Sequence, residues 1–240
     1  MNIALIGYGK MGKAIEAVAV ARGHKVVLIV DVNNVHECVP ARLQKADVAI
    51  EFTTPDTAVG NLKACFDAQV PVVCGTTGWL DQLDAVQQHC ANKGGGLFYT
   101  SNYSIGVQIF FDINKRLAEL VNRYRSDYRA TLEEVHHTTK KDAPSGTAIS
   151  LANDIIARVD SLAGWENVPD TQADVLPIVS VRRDPAPGTH TVKYTSPIDE
   201  ITICHEAKSR DGLALGAVLA AEFMQGKRGV YGMENLLKND

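Results

Sequence analysis

The sequence predicts an α/β chain with a doubly wound parallel sheet and a second, α+β domain. Three observations carry that reading. Short apolar runs alternate with helical periodicity over the first hundred residues, and a glycine-spaced turn joins the first run to the first helix. Beyond residue 103 this rhythm gives way to one long helix and a strand-rich stretch. With 240 residues, 45% of them hydrophobic, the chain can form one large domain or two small ones, and composition alone does not choose.

Ile3 to Ile6 is the first strand, followed by Gly7-Tyr8-Gly9-Lys10-Met11-Gly12 and an Ala/Val-rich helix reaching Arg22. This is a Rossmann-like opening. Gly7 and Gly9 permit a tight turn and close approach of a pyrophosphate, Gly12 lets helix and strand pack closely, and the helix N-terminus supplies amides and a favourable dipole. Lys25 to Val30 forms the second strand, and Asp31 stands at its end, 19 residues after Gly12, where a carboxylate can bind an adenosine ribose. Asp31 repels a 2′-phosphate and no arginine follows it in Val32-Asn33-Asn34; Lys10 partly offsets the repulsion, so NADH is favoured over NADPH.

The alternation continues through strand Val48 to Phe52, helix Thr57 to Ala68, strand Val70 to Cys74, helix Leu80 to Asn92 and strand Gly96 to Thr100. Polar loops follow each of these strands. Thr53-Thr54-Pro55, Gly75-Thr76-Thr77-Gly78 and Ser101-Asn102-Tyr103-Ser104 fall at carboxyl ends, the edge where open α/β sheets bind ligands. The Gly-Thr-Thr-Gly turn can offer amides and hydroxyls to a nicotinamide, or simply cap the next helix.

Ile105 to Arg125 reads as one long helix, followed by strand Tyr128 to Val135 and a helix from Ser145 to Val159. Val175 to Arg182, His190 to Ser196 and Glu200 to Ala207 then read as strands of a largely antiparallel sheet, and Leu213 to Met224 as a small-residue-rich helix. The expected division is residues 1–103 plus 214–240 for dinucleotide binding and 104–213 for substrate binding and oligomerisation.

The densest chemistry lies in Glu133-Glu134-Val135-His136-His137-Thr138-Thr139-Lys140-Lys141-Asp142-Ala143-Pro144-Ser145-Gly146-Thr147-Ala148. In an extended run His136 and Lys140 share a side, and in a helical turn they are four apart and still meet. Proton carriers thus face a helix start, at which Gly146 admits close approach and Thr147 adds a hydroxyl. This suits an acidic substrate. Adjacent histidines rarely ligate one metal from a regular strand and no cysteine or His-x-x-x-His spacing completes a set, so no metal site is expected.

A formal charge of −4 makes no global electrostatic case for nucleic acid or an anionic membrane. No stretch approaches the roughly 20 apolar residues of a membrane span, and Met1 to Ile6 is too short for a secretory leader core. Five scattered cysteines (Cys38, Cys65, Cys74, Cys90, Cys204) read as reduced thiols. A cytoplasmic location is expected.

The motif Glu134-Val135-His136-His137, then Lys140-x-Asp142-Ala143-Pro144-Ser145-Gly146-Thr147-Ala148, closely resembles the signature of the 4-hydroxy-tetrahydrodipicolinate (dihydrodipicolinate) reductase family of bacterial diaminopimelate and lysine biosynthesis. The glycine turn, Gly75-Thr76-Thr77-Gly78, Ser101-Asn102-Tyr103-Ser104, Gly188-x-His190 and His205-x-Ala207-x-Ser209-Arg210 follow in the family's order, so the resemblance spans nearly the whole chain. It implies an NAD(P)H-dependent reductase of a cyclic dicarboxylate, with hydride delivered to ring C4 and loss of water, and a homotetramer. By motif position, it implies that His136 donates or accepts a proton and Lys140 donates one, while His137, Gly146 and Thr147 bind substrate. Gly7, Tyr8, Gly9, Lys10, Met11, Gly12, Asp31, Gly75, Thr76, Thr77, Thr100, Ser101, Asn102 and Tyr103 are implied to bind the cofactor. The chain departs from the family at Arg182-Arg183-Asp184, with Pro185 and Pro187, where Arg-x-Gly often stands. Because the family implicates both histidines, the chain is expected to bend near His137 or the strand to stop there. Another amino-acid dehydrogenase would not need the His136-His137-x-x-Lys140 and Ser-Gly-Thr set, and a nucleotide-sensing regulator should show a DNA-reading basic helix.

Overall fold

The structure is a computed structural model that describes residues 1–124, 128–209 and 211–238. In chain order the elements are β1 (Asn2–Ile6), α1 (Lys10–Ala21), β2 (Lys25–Val30), α2 (Pro40–Leu43), β3 (Val48–Glu51), α3 (Pro55–Asp67), β4 (Val72–Cys74), α4 (Leu83–Asn92) and β5 (Gly96–Tyr99). There follow α5 (Ile105–Arg123), β6 (Arg129–His136), α6 (Gly146–Ile156), β7 (Gly164–Glu166), β8 (Val175–Arg182), β9 (Thr189–Thr195), β10 (Glu200–Glu206), α7 (Asp211–Met224), β11 (Gly229–Tyr231) and α8 (Met233–Leu237). Two units result, one of Met1–Ile105 with Asp211–Asp240 and one of Gly106–Arg210. Arg125, which closes the expected long helix, and Arg210 lie outside the described residues.

In the first unit six parallel strands run in the order β11-β5-β4-β3-β1-β2. Both sheet faces are buried, which is why these strands read as continuous apolar runs rather than alternating ones. Period-two geometry deals their side chains to separate cores. Ala4, Ile6, Ala49, Val72 and Leu97 pack with Leu62 and Phe66 of α3, whereas Ile3, Leu5, Ile50, Val73 and Phe98 pack with Ile15 of α1 and Ala217 of α7. The small residues of α7 serve close approach: a Cβ on Gly216 would stand 1.7 Å from the Tyr103 carbonyl oxygen. From β1 the chain passes to β2 on one side and then to β3 on the other, so the order reverses between β1 and β3. Crevices at such switch points bind ligands.

In the second unit a five-stranded sheet runs β10-β9-β6-β8-β7. The largely antiparallel expectation needs correction here. β10, β9 and β6 pair antiparallel, but β8 pairs parallel with both β6 and β7. The chain between β6 and β8 contains α6, and a helical crossover returns a strand in parallel orientation. One sheet face supplies Leu132, Ile178, Val192 and Tyr194 to a core closed by Phe110 and Ala118 of α5 and Leu151 and Ile155 of α6. No helix among the described residues is long and apolar enough to cross a membrane.

Candidate active site

At the carboxyl ends of β1, β2 and β3 lies a cleft of about 490 Å³, lined by Gly7, Tyr8, Gly9, Asp31, Phe52 and Thr53 among others. The glycine turn forms its floor, and each glycine has its own constraint. Gly7 has φ +96°, and a Cβ there would stand 1.9 Å from the Phe52 carbonyl oxygen; one on Gly12 would stand 2.2 Å from the Gly7 carbonyl oxygen. Gly9 has no neighbour within 4 Å of where a Cβ would stand, and it faces both this cleft and an adjoining one of about 280 Å³ lined by Lys10, Met11, Gly12, Gly75 and Thr76. An open glycine before a helix N-terminus is what a pyrophosphate requires, so the residues fit a dinucleotide. The charged residues lining the larger cleft, Asp31 and Asp56, are both carboxylates.

Behind the cleft the carboxylate of Glu51 is fully buried at the end of β3. It accepts hydrogen bonds from the Thr76 hydroxyl at 2.7 Å, the Asn61 amide at 3.3 Å and the Thr53 hydroxyl, while Thr76 Oγ1 accepts from the Thr53 amide at 2.7 Å. Trp79 Nε1 donates to the Thr76 carbonyl at 2.8 Å. One buried acid thereby ties the loop after β3 to the Gly75-Thr76-Thr77-Gly78 turn. Gly75 is also sterically required, since a Cβ would enter the Phe52 ring. In the following loop Thr100 Oγ1 accepts from the Asn102 amide at 3.2 Å, and Ser101 is exposed. The Tyr103 ring instead turns into the core, where its hydroxyl donates to the Cys74 carbonyl at 2.6 Å, leaving only its backbone for a ligand.

In the second unit β6 carries Glu134 and His136 on one side and ends there. The Lys140 amide donates to the His137 carbonyl at 3.1 Å, so a turn follows at once and the expected stop near His137 is present. His136 is buried, with Nδ1 paired to Glu134 Oε2. Burial depresses the His136 imidazole below its ordinary value, and Lys140 and Arg182 add to the effect against the opposing pull of Glu134. Burial raises the Glu134 carboxyl, but the nearby Ser180 hydroxyl, Arg182 and His136 together bring it below the usual carboxylate value. Lys140 Nζ donates to both oxygens of Asp142 at 2.8 Å and holds that carboxyl low. His137 Nδ1 pairs with the Thr139 hydroxyl at 2.7 Å.

Ser145 caps α6, its Oγ accepting from the Ala148 amide at 3.2 Å, which leaves the amides of Gly146 and Thr147 without intrahelical partners. The Ser145 hydroxyl also pairs with His190 Nε2 at 3.0 Å, and the His190 ring meets that of His136 edge-on at 5.1 Å. Gly188 completes the wall, for a Cβ there would lie 2.9 Å from His136 Nε2. Glu134, His136 and His190 each present a donor atom within 4.8 Å of the others. Arg182 already neutralises the carboxylate at 2.9 Å, however, so a dication would meet a fixed positive charge.

Comparison with known proteins now decides the family. The family description "Dihydrodipicolinate reductase, N-terminus" matches residues 1–103, and "Dihydrodipicolinate reductase, C-terminus" matches residues 106–237. The chain belongs to the dihydrodipicolinate reductase family. It is 44% identical to the 4-hydroxy-tetrahydrodipicolinate reductase of Christiangramia forsetii, over 100% of this chain and 98% of that one. It is 31% identical to the enzyme of the same name from Neisseria meningitidis serogroup B, over 92% and 83%. A solved dipicolinate-bound dihydrodipicolinate reductase from Paenisporosarcina sp. TG-14 shares the fold, with a TM-score of 0.77 at 22% identity over 98% of each chain. Like its family, the protein is an NAD(P)H-dependent oxidoreductase of diaminopimelate and lysine biosynthesis.

The sequence assigned no role to Glu51; Glu134, Gly188 and His190 only marked the resemblance, and Arg182 marked a departure from it. Their signals were faint but present. An acid two residues before His136 lies on the same strand face, and an acid ending an apolar strand, as Glu51 does, must be either exposed or paired.

Proposed function

We propose that this protein reduces 4-hydroxy-tetrahydrodipicolinate to tetrahydrodipicolinate through the His136–Lys140 site, with the first unit as dinucleotide-binding domain and the second as substrate-binding and oligomerisation domain. Hydride replaces the hydroxyl at ring C4 and the hydroxyl leaves with one proton as water. The observation that carries this reading is the short span between a buried, carboxylate-paired His136 and a helix start whose first amides are unpaired, with Lys140 on the turn between them. Lys140 is the proton donor and His136 a proton donor or acceptor; His137 and the amides and hydroxyl of Gly146 and Thr147 hold the substrate carboxylates. Gly7, Tyr8, Gly9, Lys10, Met11, Gly12, Asp31, Gly75, Thr76, Thr77, Thr100, Ser101, Asn102 and Tyr103 hold the cofactor, which when bound supplies the hydride. The two carboxylates lining the larger cleft support NADH over NADPH. Five free cysteines support a reducing, cytoplasmic setting, and the uncovered seven-residue edge strand β10 supports assembly into a homotetramer.

The test is NADH oxidation with the condensation product of pyruvate and aspartate semialdehyde. His136→Gln and Lys140→Ala should fold and bind NADH, yet turn over roughly 10² to 10⁴-fold more slowly. Near-native turnover in both variants removes the assignment. In the same assay Asp31→Ala should narrow the NADH/NADPH ratio of kcat/KM, and an unchanged ratio removes the ribose role.

A further inference from the structure

We propose that Glu134 is the positioning residue of this site, accepting a hydrogen bond from the Nδ1–H of His136 so that the resting imidazole presents a bare Nε2 beside Gly188. The inference rests on the reading of His136 as a proton-transfer residue and divides that role. A histidine with bare Nε2 is an acceptor, and in the resting enzyme the donor is then the Lys140 ammonium.

Four observations converge on this. Glu134 is fully buried and sits two residues before His136 on β6, so that both side chains project from one sheet face. Its two oxygens have separate tasks: Oε2 meets His136 Nδ1, and Oε1 accepts from Arg182 NH2 at 2.9 Å. A carboxylate so held by a guanidinium is ionised and can only accept, which leaves Nδ1 as the protonated ring nitrogen. Arg182 is itself anchored, donating to the Asp142 carbonyl at 2.6 Å, and the Arg183 amide donates to the His136 carbonyl at 2.8 Å. The segment that departs from the family pattern therefore braces the dyad.

The remaining groups around the ring agree. His190 from β9 is neutral near pH 7, its pKa pushed down to about 4 by burial and by His136, so it places no charge against the imidazole. Lys140 and Arg182 face His136 as cations, and Glu134 is the anion opposing them.

The decisive measurement is nitrogen NMR of the full chain labelled with ¹⁵N-histidine, with the His136 signals assigned by their loss in His136→Gln. The wild type should show Nδ1 protonated and Nε2 bare near pH 7.5; a protonated Nε2 there overturns the proposal, whether or not His136 proves essential for turnover. In Glu134→Gln, where the amide can donate to Nδ1, the tautomer should shift toward Nε2–H. Turnover should then fall by about 10²-fold or more while KM for NADH stays within about twofold. The acidic limb of kcat/KM in that variant should move to lower pH, because the charge that favours imidazolium is gone. An unmoved limb with wild-type turnover overturns the proposal, and Glu134→Asp, which restores the charge, should recover part of the activity.

Discussion

His190 shows how one buried group can write a pH dependence into the protein. Its Nδ1 has no hydrogen-bond partner among the described residues, and its pKa is depressed from 6.5 to about 4 by burial, with His136 adding to the effect. His136 and Glu134 face it from β6, His205 from β10 and Lys140 from the turn. The unfolded chain takes up this proton first as the pH falls, so stability is lost between about pH 6.5 and pH 4, by roughly 3 kcal/mol. His190→Gln should flatten the difference in denaturation free energy across that window, measured against wild type by urea unfolding. An identical slope in both proteins would show that the ring protonates freely in the folded state. The pair Lys140–Asp142, by contrast, is partly exposed and contributes little to stability.

At the scale of elements, the glycine turn separates two uses of the same residue. Gly7→Ala forces a side chain onto the Phe52 carbonyl in a left-handed conformation and should destabilise the first unit by more than about 1–2 kcal/mol, read by urea unfolding. Gly9→Ala meets no protein atom within 4 Å, so the fold should keep its stability while NADH binding weakens by tenfold or more, read by nucleotide fluorescence titration. Undiminished NADH affinity in Gly9→Ala would remove the pyrophosphate from that spot. The βα alternation was legible because strands covered on both faces are apolar throughout and their helices keep a 3.6 period. Short elements were not: Pro40–Leu43 and Gly164–Glu166 are too brief to show any period. Nor could alternation reveal that β8 runs parallel to β6, since a side-chain pattern records which face is buried and not the direction of the partner.

For the whole molecule, the open edge of β10 is the feature that assembly would cover. Its exposed Glu200, Thr202, Cys204 and Glu206 alternate with half-buried Ile201, Ile203 and His205. Sedimentation velocity should find four chains per particle at micromolar concentration, and a monomer over that range would refute the assembly proposed for the second unit. The motif His136-His137-x-x-Lys140, the Ser145-Gly146-Thr147 helix start and the glycine turn were readable from the chain alone. Each lies within a few residues of contiguous sequence, where backbone geometry dictates which groups meet. Glu134 with Arg182, His190 with Ser145, Gly188 on His136 and Glu51 on Thr76 join residues 25 to 52 positions apart in the chain. Periodicity and spacing pointed to a doubly wound sheet with a second α+β domain and to His136 and Lys140 as candidates for proton transfer, and the motifs carried the resemblance to the family. Only the tertiary structure decided which buried groups stand against His136, because pairing and desolvation join strands that the sequence does not place side by side.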